Sequence, residues 1–176
     1  MKADFLKAID DFILDRLFQP LVDRLPEETS AWNIGISFEL GSVLLQVVCL
    51  LAPLLLYGAT LGESVEAILV LLCSIMLFIG FQRFQTLVRP NMMNPLRPMM
   101  YSLRVVCLGF LLYETISLFV GAAKPQMWLW DRLGLLSQLT FVVGLYFMAC
   151  QMPPPGARQA RKRRTVIKGV VSDGVQ

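Results

Sequence analysis

Four blocks, 38–58, 64–81, 103–123 and 131–150, are apolar over nearly their whole length and are separated by a short turn, a longer loop and a second short turn. A bilayer core is about 30 Å thick, and a helix that crosses it needs roughly 20 mostly apolar residues. Inside hydrocarbon the backbone must satisfy its own hydrogen bonds, which a helix does within one segment. The chain is therefore read as an all-α membrane protein, with four transmembrane helices in an antiparallel bundle. Composition agrees: 56% of the residues are hydrophobic and 16% charged, whereas soluble domains run nearer 45–50% and 25%. The blocks place a transmembrane domain at 31–151, between an N-terminal segment (1–30) and a tail (152–176).

The N-terminal segment reads as an amphipathic helix at the membrane interface or against a partner. Phe5, Leu6, Ile9, Phe12, Ile13, Leu17, Leu21 and Leu25 recur at steps of three and four, with Lys7, Asp10, Asp11, Asp15 and Gln19 on the other side. Pro20 lacks an N–H and crowds the preceding turn, which predicts a kink or an end there. Residues 1–30 carry four basic and seven acidic side chains and no apolar core of a signal peptide. Interfacial helices are usually rich in Lys and Arg, so this balance argues mildly for a partner, while packing on the protein's own cytoplasmic loops is a third reading beside the interface. Trp32 sits where an interfacial anchor belongs.

Polar residues within the blocks mark faces turned toward other helices. In the first span Glu39, Ser42, Gln46, Cys49 and Pro53 share one side. In the third, Cys107, Glu114 and Gly121 are seven apart, with Ser117 beside them. In the fourth, Gly134, Ser137, Gln138, Thr140 and Gly144 share a side, and small residues there permit close approach. Glu63 and Glu66 open the second span, where carboxylates suit the helix dipole; the competing role for them is cation entry.

Glu114 is read as the one acid deep in the membrane, with no Lys or Arg at its depth. Desolvation without a counter-charge favours the neutral acid. At 1.5 Å per residue, Glu114 and Gln138 lie within a few ångströms of the bilayer centre on antiparallel neighbours. A polar patch of Glu114, Gln138, Gln46, Ser74 and Ser117 follows, and it doubles as a possible proton site.

Basic residues divide fourteen against two between alternate loops, which by the positive-inside rule puts both termini in the cytoplasm. The loop 82–103 holds Arg83, Arg89 and Arg97 with Met92, Met93, Met99 and Met100, an adaptable apolar surface for a partner or for lipid. The tail carries Arg158, Arg161, Lys162, Arg163, Arg164 and Lys168. It is expected to be disordered and to contact anionic lipid head groups. No aromatic interleaving or fold signature points to nucleic acid.

There is no histidine, and the four cysteines lie in four different blocks without a CxxC pair. The sequence therefore offers no metal site and no cofactor, and no set of nucleophile, base and ligand for an enzyme. Three readings remain. The first is an accessory or scaffold protein of a bacterial inner membrane, joined to other proteins or to itself through Phe5, Ile9, Ile13, Leu17, Arg89, Arg97 and the tail. The second is a proton-coupled transporter or channel using Glu114. The third is a holin-like pore.

Overall fold

The computed structural model describes residues 2–26, 29–57, 61–89, 92–120 and 128–152. Expectations for Gly121 and for the tail with Arg158, Arg161, Lys162, Arg163, Arg164 and Lys168 lie outside them, as does the side chain of Glu63.

Four helices are long and apolar enough to cross a membrane: α3 (Ala31–Tyr57), α4 (Leu61–Phe84), α6 (Tyr101–Val120) and α7 (Trp128–Ala149). Ahead of them lie α1 (Lys2–Phe12), a wide π-helical segment (Ile13–Phe18) and α2 (Gln19–Arg24). The short α5 (Leu96–Met99) sits between α4 and α6. By length and composition this is a four-span helical membrane protein, and the four helices pack together.

The packing order is α4, α3, α7, α6. The α3–α7 seam is the tightest, because both helices present glycine. A Cβ on Gly35 would meet Met148 Cγ at 2.5 Å and the Gly144 carbonyl oxygen at 2.9 Å. Gly35 therefore lies beside Gly144, and Ser42 beside Ser137, so the two helices run antiparallel. Ser137 Oγ donates to the Ser42 carbonyl at 2.9 Å, and the two hydroxyls are 3.1 Å apart. The polar sides read from the first and fourth spans thus meet each other here. Hydrogen bonds between membrane helices contribute about 0.6 kcal/mol on average, so close backbone approach matters as much as the hydroxyls.

Several boundaries differ from expectation. The first apolar helix begins at Ala31, not near residue 38, and it runs unbroken through Pro53. Trp32 is consequently no interfacial anchor. It is buried with Phe81, Leu96, Met100, Leu145 and Met148. The third apolar helix, expected from 103, starts at Tyr101, after the short α5 that holds Pro98. Loop 82–103 carries the end of α4 as far as Phe84, a 3-10 turn (Gln85–Leu87) and α5.

Pro20 neither ends nor breaks the N-terminal helix. It stands in the first turn of α2, where its missing N–H costs least. The chain ahead of it widens instead into the π-helical segment. That widening decides which side of the helix meets the bundle. Asp10, Leu14, Phe18 and Val22 are four residues apart, and at 100° per residue each step of four overshoots a regular turn by about 40°. The wider turn absorbs part of this drift and keeps the four positions inward. Asp10, Leu14 and Val22 are buried, while Phe5, Leu6, Phe12, Leu17 and Leu21 are exposed. Leu14 and Val22 join Val142, Tyr146, Ala149 and Cys150 in one core. The helix therefore docks on the protein's own bundle, and most of its regular apolar stripe points outward. The end of the bundle where it docks is called the basal end below.

Candidate functional site

The basal end is built around a buried ion pair. Asp10 is 2% exposed and Arg104 1%. Arg104 Nε donates to Asp10 Oδ1 at 2.9 Å, and Nη2 donates to Oδ2, so the carboxylate is held at both oxygens. Tyr146 donates its hydroxyl to Oδ1 at 2.9 Å, and Arg104 Nη1 donates to the Arg97 carbonyl at 3.1 Å. The guanidinium also sits 5.6 Å from the Tyr146 ring centroid. Phe18 stacks on the same ring at 5.1 Å and meets Phe147 edge-on at 5.2 Å. A buried pair tolerates desolvation only when the geometry is good and the remaining polar groups are bonded; the pairing of Asp10 and Arg104 meets both conditions.

This corrects one reading: Asp10 does not lie on the outward polar side of its helix, because Arg104 draws it inward. Arg104 sits inside the first turns of α6, about 4–5 Å along its axis from Tyr101. A cation is thus present within a span, paired with an acid from outside the spans.

Two further contacts tie the same end together. Arg97 Nη2 donates to Asp15 Oδ2 at 2.8 Å and to Asp11 Oδ1 at 3.1 Å. The bond to Asp15 above all holds the guanidinium above its ordinary basicity. Arg97, read as a partner or lipid contact, is thereby engaged within the chain, whereas Arg89 is exposed. Asn94, buried in the α4–α6 loop, donates through Nδ2 to the Met148 and Cys150 carbonyls at 2.8 and 2.9 Å. Its Oδ1 accepts from Leu96 N at 3.0 Å. One side chain thus caps the end of α7 and starts α5. Gln19 bridges to Gln151, donating to its carbonyl at 3.2 Å and accepting from its N–H at 2.9 Å.

A second buried acid lies in the α3–α7 seam. Glu39 is 1% exposed, and neither carboxyl oxygen has a hydrogen-bond partner. A Cβ on Gly144 would come within 2.8 Å of its Oε1. The carboxyl thus occupies space that any side chain at 144 would need. Glu114 is therefore not the only acid within the spans: it is half-buried on α6, and Glu39 is more deeply enclosed.

Three members of the expected polar patch come together. Gln46 of α3, Ser74 of α4 and Gln138 of α7 line one cavity of about 220 Å³, with Cys107 and Phe110 of α6. Glu114 and Ser117 are not in that lining, and Ser117 is exposed on α6. The Ser74 hydroxyl donates to the Val70 carbonyl at 3.0 Å, while Gln46 Oε1 is buried without a partner. A second cavity of about 300 Å³, lined by Gln46, Cys49, Val70 and Glu66, shares Gln46 and Val70 with the first.

Of the expected contact residues on the N-terminal helix, Phe5 and Leu17 are exposed, while Ile9 and Ile13 are half-buried, Ile13 against the core. Met92, Met93 and Met99 are exposed, whereas Met100 is buried. Among the described residues no group of three or more His, Cys, Asp or Glu is placed to hold a metal. The sequence matches no protein-family model, and neither a curated protein nor a solved structure matches it.

Proposed function

We propose that this protein is a small accessory or scaffold component of a larger membrane assembly. Its four-span body anchors a rigid N-terminal helix for another component to bind. The observation that supports this most is the inverted docking of that helix. Its acid-bearing side is turned in by Asp10, while Phe5, Phe12, Leu17 and Leu21 are left outward. A helix that only needed a place on its own bundle would bury those side chains, each worth roughly 1.5–3 kcal/mol when fully buried. Met92, Met93 and Met99 add an adaptable apolar surface on the loop that contacts the same helix. With both termini in the cytoplasm, as the basic residues direct, this surface lies on the cytoplasmic side.

The test is assembly size. Full-length protein is extracted from its own membrane in mild detergent, as wild type and as a Phe12→Ser, Leu17→Ser variant. The proposal expects the wild type in a complex larger than a single chain with its detergent, and the variant shifted to the small form with its helix content intact. The same size for both contradicts it.

A further inference from the structure

The outward face of α6 carries a second inference. Tyr113, Glu114 and Ser117 stand within about one helical turn, and Glu114 lies roughly 9 Å inside the last residue of the helix, Val120. Tyr113 and Ser117 are exposed and Glu114 is half-buried. Among the described residues none of the three has a hydrogen-bond or ion-pair partner. Other hydroxyls within the spans are bonded. Thr115 donates to the Leu111 carbonyl at 2.6 Å, Ser74 to that of Val70 at 3.0 Å and Thr140 to that of Leu136 at 2.7 Å. Hydrocarbon offers no water to complete such groups, so polar side chains on a span turn toward a polar partner.

Gly109 lies on the same face. At 100° per residue Val106, Gly109, Ser117 and Val120 fall within about 40° of Tyr113, and Glu114 borders them about 60° round from Ser117. All of these but Glu114 are exposed. A Cβ on Gly109 would meet nothing within 4 Å, whereas those on Gly35 and Gly144 would strike the α3–α7 seam. Glycine in a helix interior is less stable than alanine, and nothing in the chain's own packing uses its small size at 109. Small residues let membrane helices approach closely. Among the spans α6 packs mainly on α7, which leaves this face open.

We propose that this face pairs with the same face of a second copy of the chain. Gly109 sets the close approach, and the Glu114 carboxyl of each copy accepts a hydrogen bond from the Tyr113 or Ser117 hydroxyl of the other. The face is self-complementary, because it holds two hydroxyl donors and a carboxyl acceptor at nearly one depth. Two copies inserted in the same orientation are related by a twofold axis along the membrane normal, which brings residues of equal depth together. The inference concerns a different face from that of the N-terminal helix and does not depend on the accessory role proposed above.

The test uses purified full-length protein in phosphatidylcholine vesicles, as a mixture of chains carrying a donor or an acceptor dye at the C-terminus. Energy transfer is followed as lipid is added. The proposal expects transfer in the wild type to persist at dilutions where random proximity gives none, and unlabelled wild-type chain to compete it away. Glu114→Leu and Gly109→Leu should each weaken association about tenfold, the scale of interhelical hydrogen bonds in membranes. Glu114→Gln, which keeps an acceptor, should associate like the wild type, and so should the Phe12→Ser, Leu17→Ser variant, whose changes lie on the other surface. Gly109 is exposed with open space around it, so G109L retains the fold and decides the matter if the Glu114 variant fails to assemble. Transfer in the wild type no higher than random proximity gives overturns the proposal, even if a different protein is then found on this face. The same dilution curve for wild type and G109L also overturns it.

Discussion

Asp10 and Arg104 are 94 positions apart in the chain and form a two-point ion pair that is almost wholly buried. It joins a helix outside the four spans to the first turns of the third span. Removing one partner strands the other charge, which costs about 3–5 kcal/mol for a buried pair. Asp10→Ala and Arg104→Ala should each destabilise by that order. The double change Asp10→Leu, Arg104→Met should cost less than either, since no charge is left unpaired. Denaturant unfolding in detergent micelles, read as a double-mutant cycle, checks both statements.

Tyr146 touches the same carboxylate but also stacks on Phe18. Tyr146→Phe removes the hydrogen bond and keeps the ring contacts, so it should cost about 1–3 kcal/mol, below the loss for Asp10→Ala. Tyr146→Ala should exceed Tyr146→Phe by several kcal/mol, because a buried aromatic is lost as well. The same unfolding assay orders the three variants.

The glycines of the seam should differ sharply in what they accept. Gly144→Ala brings a methyl within 2.8 Å of Glu39 Oε1 and 2.9 Å of the Gly35 carbonyl oxygen, so α3 and α7 must separate. A loss of about 1–3 kcal/mol is expected, the range for overpacking. Gly41→Ala meets only the Thr140 methyl at 3.6 Å, and Gly134→Ala meets nothing within 4 Å. Both should be neutral or slightly stabilising, since alanine favours helix. Thermal denaturation of the three variants side by side reads the contrast.

Glu39 lies in that seam with both oxygens unsatisfied. Replacing such a group by an apolar one of similar shape removes a desolvation cost of about 1–3 kcal/mol. Glu39→Met should therefore raise the melting temperature, and Glu39→Gln should not. A lower melting temperature for Glu39→Met would show that the carboxyl has a partner in the membrane that the chain alone does not supply.

What the sequence made legible follows from which forces act locally. The four spans were readable because hydropathy over some 20 residues suffices to mark them. The stripe with Glu39, Ser42 and Gln46 was readable too, and Ser42 does meet Ser137 across the seam. The facing of the N-terminal helix was not. Regular periodicity selects Phe5, Phe12, Leu17 and Leu21, whereas the π-helical turn ahead of Pro20 holds Asp10, Leu14, Phe18 and Val22 inward. Arg104 at the edge of an apolar block looks like a topology signal, and only its partner reveals it as buried. One clue was present. Arg97 and Arg104 stand close together in the chain and both pair with acids of the N-terminal segment, Asp10, Asp11 and Asp15. Asn94 gave no such sign, since an asparagine among prolines reads as a turn residue.

Hydrogen exchange over residues 5–24 tests the docked helix most directly. Full-length protein in nanodiscs is compared with Asp10→Ala. The account predicts slow exchange through this segment in the wild type and loss of that protection in the variant, with α3 and α7 still protected in both. Fast exchange across 5–24 in the wild type, or equal protection in both proteins, would contradict it.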